Sequence, residues 1–203
     1  EYLNKIGKMK QKNLKVELAY KLLDDAIKIK FKRNKVAQKS FQERLEKTLS
    51  NYHGRFEDNE TTQEQEPHMK LDEIFDRIKQ IADDVTHKKK REEELGLSDK
   101  EVIFYDAIFA GKEYTKSDKT LVEIATKLTK FMEENTGVDW MNQESIKAKI
   151  RSGIRNILID YDFPSESFKK LVPVVMEQVV INYSENNYWF LNHFHLKHLW
   201  LIY

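Results

Sequence analysis

The chain has 203 residues, with 35 Lys+Arg against 34 Asp+Glu, a net charge of +1, 40% hydrophobic and 34% charged side chains. This length buries one substantial core or two small ones, and the charge balance excludes a strong overall field drawing in nucleic acid or membrane. The absence of Cys excludes disulfides, thiolate metal sites and cysteine nucleophiles. No apolar run reaches the roughly 18 residues of a spanning helix and no signal peptide is visible, so a cytoplasmic location is expected. Only 6 Gly and 3 Pro occur, too few to punctuate a β-sandwich or barrel. The first residues are Glu1-Tyr2 rather than Met, which reads as a piece of a longer chain.

The expected fold is all-α, an irregular bundle of about six to eight helices that opens with a long helical hairpin. Leu14, Leu18, Leu22, Leu23, Ala26 and Ile29 recur at spacings of three and four and predict a helix over 12–33 with that face inward. Asn34 is placed to break it. Val36, Phe41, Leu45, Leu49, Tyr52 and Phe56 predict the second arm of the hairpin, so residues 1–58 form one segment. Residues 59–69 are polar and acidic and read as a linker.

A helical core over 70–180 is expected next. Its first helix carries Leu71, Ile74, Phe75, Ile78, Ile81 and Val85, and its end, Lys88 to Glu94, reads as solvated. Gly96 can stop that helix in a left-handed conformation, and Ser98-Asp99-Lys100-Glu101 is a capping box for the next. Ser117 or Asp118 starts another helix, and Asn142 is placed to cap one from Gln143 to about Tyr161. Pro173 predicts a kink or a late start in the last. Residues 181–203 form an aromatic-rich terminal segment containing Tyr183, Trp189, Phe190 and Trp200.

Catalytic signatures are missing. Neither Gly-Lys pair has a Gly five residues earlier, so there is no phosphate-cradling loop, and no Lys has Asp or Glu two positions before it, as metal nucleases often do. His193, His195 and His198 have no acidic neighbour to complete a metal site and read as packing residues. No catalytic, cofactor-binding or metal residue is therefore expected in this segment.

Charge is concentrated locally. Residues 1–58 hold 15 basic and 8 acidic side chains, a net +7, and Lys28, Lys30, Lys32, Arg33, Lys35 and Lys39 are the densest part. Lys147, Arg151 and Arg155 recur every four residues as a second basic ridge. Both patterns suit phosphate or partner contact, and both suit a solvated helix face.

The ordered motifs carry a resemblance. Leu22-Leu23-Asp24-Asp25-Ala26-Ile27-Lys28, Lys32-Arg33-Asn34, Lys39-Ser40-Phe41, Tyr52 with Arg55, Glu94-Leu95-Gly96-Leu97-Ser98 and Phe104-Tyr105-Asp106-Ala107 come first. Val138-Asp139-Trp140, Lys147-Ala148-Lys149-Ile150-Arg151, Tyr161-Asp162-Phe163-Pro164 and Glu177-Gln178 follow. Over about residues 20–180 this order resembles the C-terminal helical domain of the R (restriction, HsdR) subunit of type I restriction-modification enzymes. The acidic stretch 57–69 and the aromatic tail depart from the family pattern.

The resemblance implies a parent with an upstream nuclease domain and two ATP-driven motor domains that translocate DNA, with ATP and Mg bound only upstream. It implies a non-catalytic helical domain that docks the R subunit onto the methyltransferase (M) and specificity (S) subunits and meets the motor domains of its own chain. Lys28, Lys32, Arg33, Lys35, Lys39, Lys147, Arg151 and Arg155 are the candidate contacts to partner or DNA, and no membrane contact is expected. Phe104, Tyr105, Asp139 and Trp140 are the expected structural anchors. A DNA-binding module working through the basic hairpin is the alternative.

Overall fold

A computed structural model describes residues 2–53, 70–110, 116–137 and 139–184. These residues contain eight α-helices and no strand, as the all-α reading requires. The expected linker 59–69 and the tail histidines lie outside the described residues. The chain divides into two compact units, one ending at Glu94 and the other beginning at Leu95.

The first unit holds α1 (Tyr2–Gly7), α2 (Lys12–Lys30), α3 (Lys35–His53) and α4 (Leu71–Glu94). Asn34 both ends α2's connection and starts α3, because its side-chain oxygen accepts the Ala37 N–H at 3.1 Å. Phe31 stacks on Phe41 with ring centroids 5.3 Å apart, and Gln42 Nε2 donates to Asp24 at 2.8 Å. Residue numbers rise along α2 as they fall along α3 in these contacts, so the pair is an antiparallel hairpin. Against it, Lys12 pairs with Asp72 at 2.6 Å, Lys15 lies 4.0 Å over the Phe75 ring, and Arg44 pairs with Asp84.

α4 contributes Ile74, Phe75, Ile78, Ile81 and Val85 to the same core as Val16, Leu23, Ile27, Phe41 and Leu45. The observed division therefore falls at Glu94–Leu95, whereas the sequence reading assigned everything from residue 70 to the later core. The physical reason is that a two-helix hairpin leaves its inner face open, and the α4 stripe closes it.

Two expectations on these helices are corrected. The buried face of α2 is Val16, Ala19, Leu23 and Ile27, whereas Leu14, Leu18, Leu22 and Ile29 are exposed. The end of α4 is not wholly solvated, because Glu92 is buried with its carboxylate 3.0 Å from the Lys88 ammonium and 3.7 Å from that of Lys89. Two i,i+3 and i,i+4 cations make that burial tolerable.

The second unit is a four-helix ring of α5 (Asp99–Phe109), α6 (Asp118–Asn135), α7 (Glu144–Asp160) and α8 (Phe168–Tyr183), in which α5 and α7 each pack on both α6 and α8. Gly96 has φ +67, a conformation that costs a residue with a Cβ about 1 kcal/mol or more. Ser98 then closes the predicted capping box with Glu101. Its amide donates to Glu101 Oε2 at 2.9 Å, and Thr126 on α6 donates to the other carboxylate oxygen at 2.7 Å. Ser117 caps α6 by accepting the Thr120 N–H at 3.2 Å.

Partial burial alone would raise the Glu101 carboxyl, but hydrogen bonds from the Ser98 side chain and amide and from Thr126 outweigh it, so it titrates below the ordinary 4.5. A carboxyl depressed in the folded state contributes stability above its unfolded pKa and loses it as pH falls through the folded one. Glu101→Gln should therefore flatten the decline of unfolding free energy below pH 4.5. Urea titrations across that range check this, and an unaltered acid slope would refute it.

Asn142 does not cap α7. A 3₁₀ turn, Trp140–Asn142, intervenes, Asn142 instead donates to Asp139 Oδ1 at 2.7 Å, and Gln143 precedes α7 without a side-chain cap. Nor does Pro173 delay the last helix: α8 begins at Phe168 and Pro173 lies inside it. The helix also runs on to Tyr183, so the expected boundary at 181 falls within it.

Two aspartates occupy the left-handed region, Asp139 at φ 65 and Asp162 at φ 55. Each precedes a buried aromatic residue, Trp140 or Phe163. At the second, the Asp162 N–H bonds the Ile159 carbonyl at 2.9 Å and the Phe163 N–H bonds that of Leu158 at 3.0 Å. This is a Schellman ending with an Asp in the usual Gly place, and it turns Phe163 back onto the core beside Leu158.

Candidate partner interface

The basic hairpin is largely occupied by its own chain. Lys28 pairs with Asp24 one turn earlier, Lys30 donates to the Val85 carbonyl at 3.2 Å, and Lys35 donates to Gln38 at 2.7 Å. Lys39 lies 3.9 Å from Glu43. Lys32 and Arg33 are exposed at the turn between α2 and α3. Partial burial would raise Asp24, but hydrogen bonds from Lys28 and Gln42 and the Lys28 charge prevail and hold it below the ordinary carboxylate range. The hydrogen bond that Lys28 donates to Asp24 correspondingly raises Lys28. The dense charge of the sequence is thus spread through local pairs that dilute its field.

The second ridge has a different setting. Ile150, Ile154 and Leu158 bury one side of α7, and Lys147, Arg151 and Arg155, each three residues before one of them, run along the flank of that side. That flank forms one wall of an open groove between α7 and α8 of about 740 Å³. The α8 side is mainly apolar, from Val172, Pro173, Met176 and Val180, with the charged Lys169 and Glu177 among them, and Trp140 and Met141 also line the groove.

Within the groove Lys147 pairs with Glu144 at 2.7 Å, and that hydrogen bond, reinforced by the charges of Lys147 and Arg151, lowers the Glu144 carboxyl. Arg151 and Arg155 are exposed, and neither has an ion pair among the described residues. Pro173 has no N–H, so the Lys169 carbonyl lacks its helical donor at the edge of this wall. Two guanidinium forks beside a desolvatable apolar strip form a surface able to bind carboxylates or phosphates bidentately while burying aliphatic groups.

The four anchor residues meet the second unit's core in different ways. Phe104 and Trp140 are fully buried, and Tyr105 is buried with its hydroxyl donating to Asp118 at 2.8 Å. Asp139 stays at the surface turn described above. The periodicity of Lys147, Arg151 and Arg155 was sufficient to find the ridge. The α8 wall escaped sequence reasoning because Val172, Met176 and Val180 have the spacing of any core face, and only the packing of α7 against α8 leaves part of it open.

Among the described residues, no group of three or more His, Asp or Glu side chains could hold a metal ion. No described helix is long and apolar enough to cross a membrane.

Helix-only architecture, with two compact units of four helices each among the described residues, defines an all-α protein. More particularly, the chain belongs to the family described as type I restriction enzyme HindI endonuclease subunit-like, C-terminal, whose family model matches residues 1–184. It is 26% identical over 180 residues to the type I restriction enzyme HindI endonuclease subunit of Haemophilus influenzae, covering 88% of this chain and 16% of that protein. It is 25% identical over 161 residues, 78% of this chain and 14% of the relative, to a protein of Methanocaldococcus jannaschii described as a type I restriction enzyme MjaIXP endonuclease subunit. The chain thus spans about a sixth of the length of these curated relatives. No solved structure matches it at comparable stringency.

Proposed function

We propose that this chain is the assembly domain of a type I restriction enzyme's R subunit, and that the α7–α8 groove docks it onto the methyltransferase and specificity subunits. The observation that carries this reading is the groove itself, in which Arg151 and Arg155 lack ion pairs beside the apolar residues Val172, Pro173 and Met176. The parent would be an ATP-dependent DNA translocase and endonuclease, with its ATP, Mg and nuclease chemistry in other domains of the same polypeptide. The alternative, phosphate tracking by the hairpin, has weaker support, because Lys28, Lys35 and Lys39 are engaged by their own helices.

The test mixes the chain with a methyltransferase core lacking DNA and follows association by light scattering at about 0.1 M and 1 M salt, where the screening length falls from ~10 to ~3 Å. A complex that survives high salt, and that Arg151→Glu with Arg155→Glu weakens at least about tenfold (~1.4 kcal/mol), is the expected result. No complex, together with DNA binding that collapses as salt rises, would move the domain to the DNA path.

A further inference from the structure

Helix α2 carries two apolar stripes, and the core uses only one. Leu14, Leu18, Leu22 and Ile29 are 46%, 36%, 39% and 78% exposed. At 3.6 residues per turn they fall within an arc of about 80°. Asp25 lies inside that arc, and Glu17, Lys21, Asp24 and Lys28 border it along a single edge. Glu17, Lys21 and Asp25 are exposed and have no ion pair among the described residues. A strip of this kind, with an acidic side chain set into it and charges of both signs along one rim, has the composition of a helix-pairing seam.

We infer that this strip docks a second copy of the chain, α2 against α2 in antiparallel about a twofold axis near Leu22. The charge pattern selects both partner and direction. With the axis there, Glu17 of one copy lies level with Lys28 of the other, and Lys21 with Asp24 and Asp25. All these pairs sit along the same rim, where an antiparallel helix pair brings like positions together. Leu18 falls among Leu22, Asp25, Ala26 and Ile29 of the second copy, and Leu14 reaches its Ile29. A parallel arrangement would set the two Asp25 carboxylates level with each other inside the seam and carry the Glu17 and Lys21 rims of the two copies to opposite sides of it, so the rim charges would not pair. One patch that is complementary to itself closes a dimer without exposing a further seam. Asp25 within the seam favours the register that gives it a lysine over slipped alternatives.

This surface belongs to the first unit and is separate from the groove, so the two readings fail independently. Sedimentation equilibrium of the 203-residue chain between about 10 μM and 500 μM, a range suited to a small interface, should give a monomer–dimer equilibrium. Leu18→Asp and Leu22→Asp should each hold the chain monomeric with unchanged circular dichroism, because both positions are solvent-exposed. Glu17→Lys should weaken the dimer at least about fivefold, and adding Lys28→Glu should restore it at low salt. Arg151→Glu with Arg155→Glu should leave the equilibrium unchanged. A chain that stays monomeric over the whole range, a dimer that survives both leucine substitutions, or indifference to Glu17→Lys would overturn the inference.

Discussion

Replacing Trp140 with alanine should lower the unfolding free energy of the second unit by about 3–5 kcal/mol, the largest loss expected from any single side chain here. Three features combine at this position. The indole is 1% exposed, so its whole apolar surface is buried. Its Nε1 donates to the Tyr183 carbonyl at 2.7 Å, tying the turn between α6 and α7 to the last residue of α8. Tyr183 in turn stacks on Phe104 of α5 with centroids 6.2 Å apart, so the loss reaches a third helix. Truncation would leave a cavity among these elements and would take the indole donor away from the Tyr183 carbonyl.

For a domain of about 100 residues this corresponds to a fall in Tm of roughly 12 °C or more. Trp140→Phe separates the contributions: it keeps most of the volume and loses the donor, and should cost about 1–3 kcal/mol. Thermal melts followed by circular dichroism check both variants. A Trp140→Ala protein that melts with the wild type would show that the ring anchors nothing.

What the sequence disclosed follows from which forces act locally. The Ser98–Glu101 box, the Gly96 stop and the α7 ridge were legible because capping and helical spacing involve residues within one or two turns of each other. The inward face of α2 was not legible. Two stripes there share the 3.6 period, one with Leu14, Leu18, Leu22 and Ile29 and the other with Val16, Ala19, Leu23 and Ile27, and the first contains the larger side chains. Size favoured the wrong stripe. The small Ala19 sits in the core, where little side-chain bulk separates the helix from its neighbours, so burial of the second stripe depends on α3 and α4 and on nothing within α2.

The same limit hid the apolar wall of the candidate interface and the role of α4. Val172 and Met176 look like ordinary core positions until α7 is placed beside them. The α4 stripe reads identically whether it completes the hairpin or opens a separate domain. Asn142 misled for a related reason: a good capping residue stood one position early, and the left-handed Asp139 captured its side chain for the 3₁₀ turn.

Gly153 poses the sharpest steric test of the second unit. It lies on α7 opposite Phe131 of α6, and a Cβ at this position would overlap the Phe131 ring. In a solvated helix, Gly→Ala gains about 1 kcal/mol from propensity alone. Here that gain is opposed by an overlap no pair of carbon atoms tolerates, so either the ring swings away or the helices separate. Phe131 is only half-buried, which bounds the cost at the ordinary overpacking range of about 1–3 kcal/mol. Gly153→Ala should therefore be net destabilising, against its intrinsic preference. In the Phe131→Ala background the same substitution should become neutral or stabilising, because the methyl then enters space the ring has left and the propensity gain is no longer opposed. Urea unfolding of the four members of this cycle measures the coupling directly. If Gly153→Ala stabilises the wild-type background, α6 and α7 do not pack as closely as Gly153 and Phe131 require.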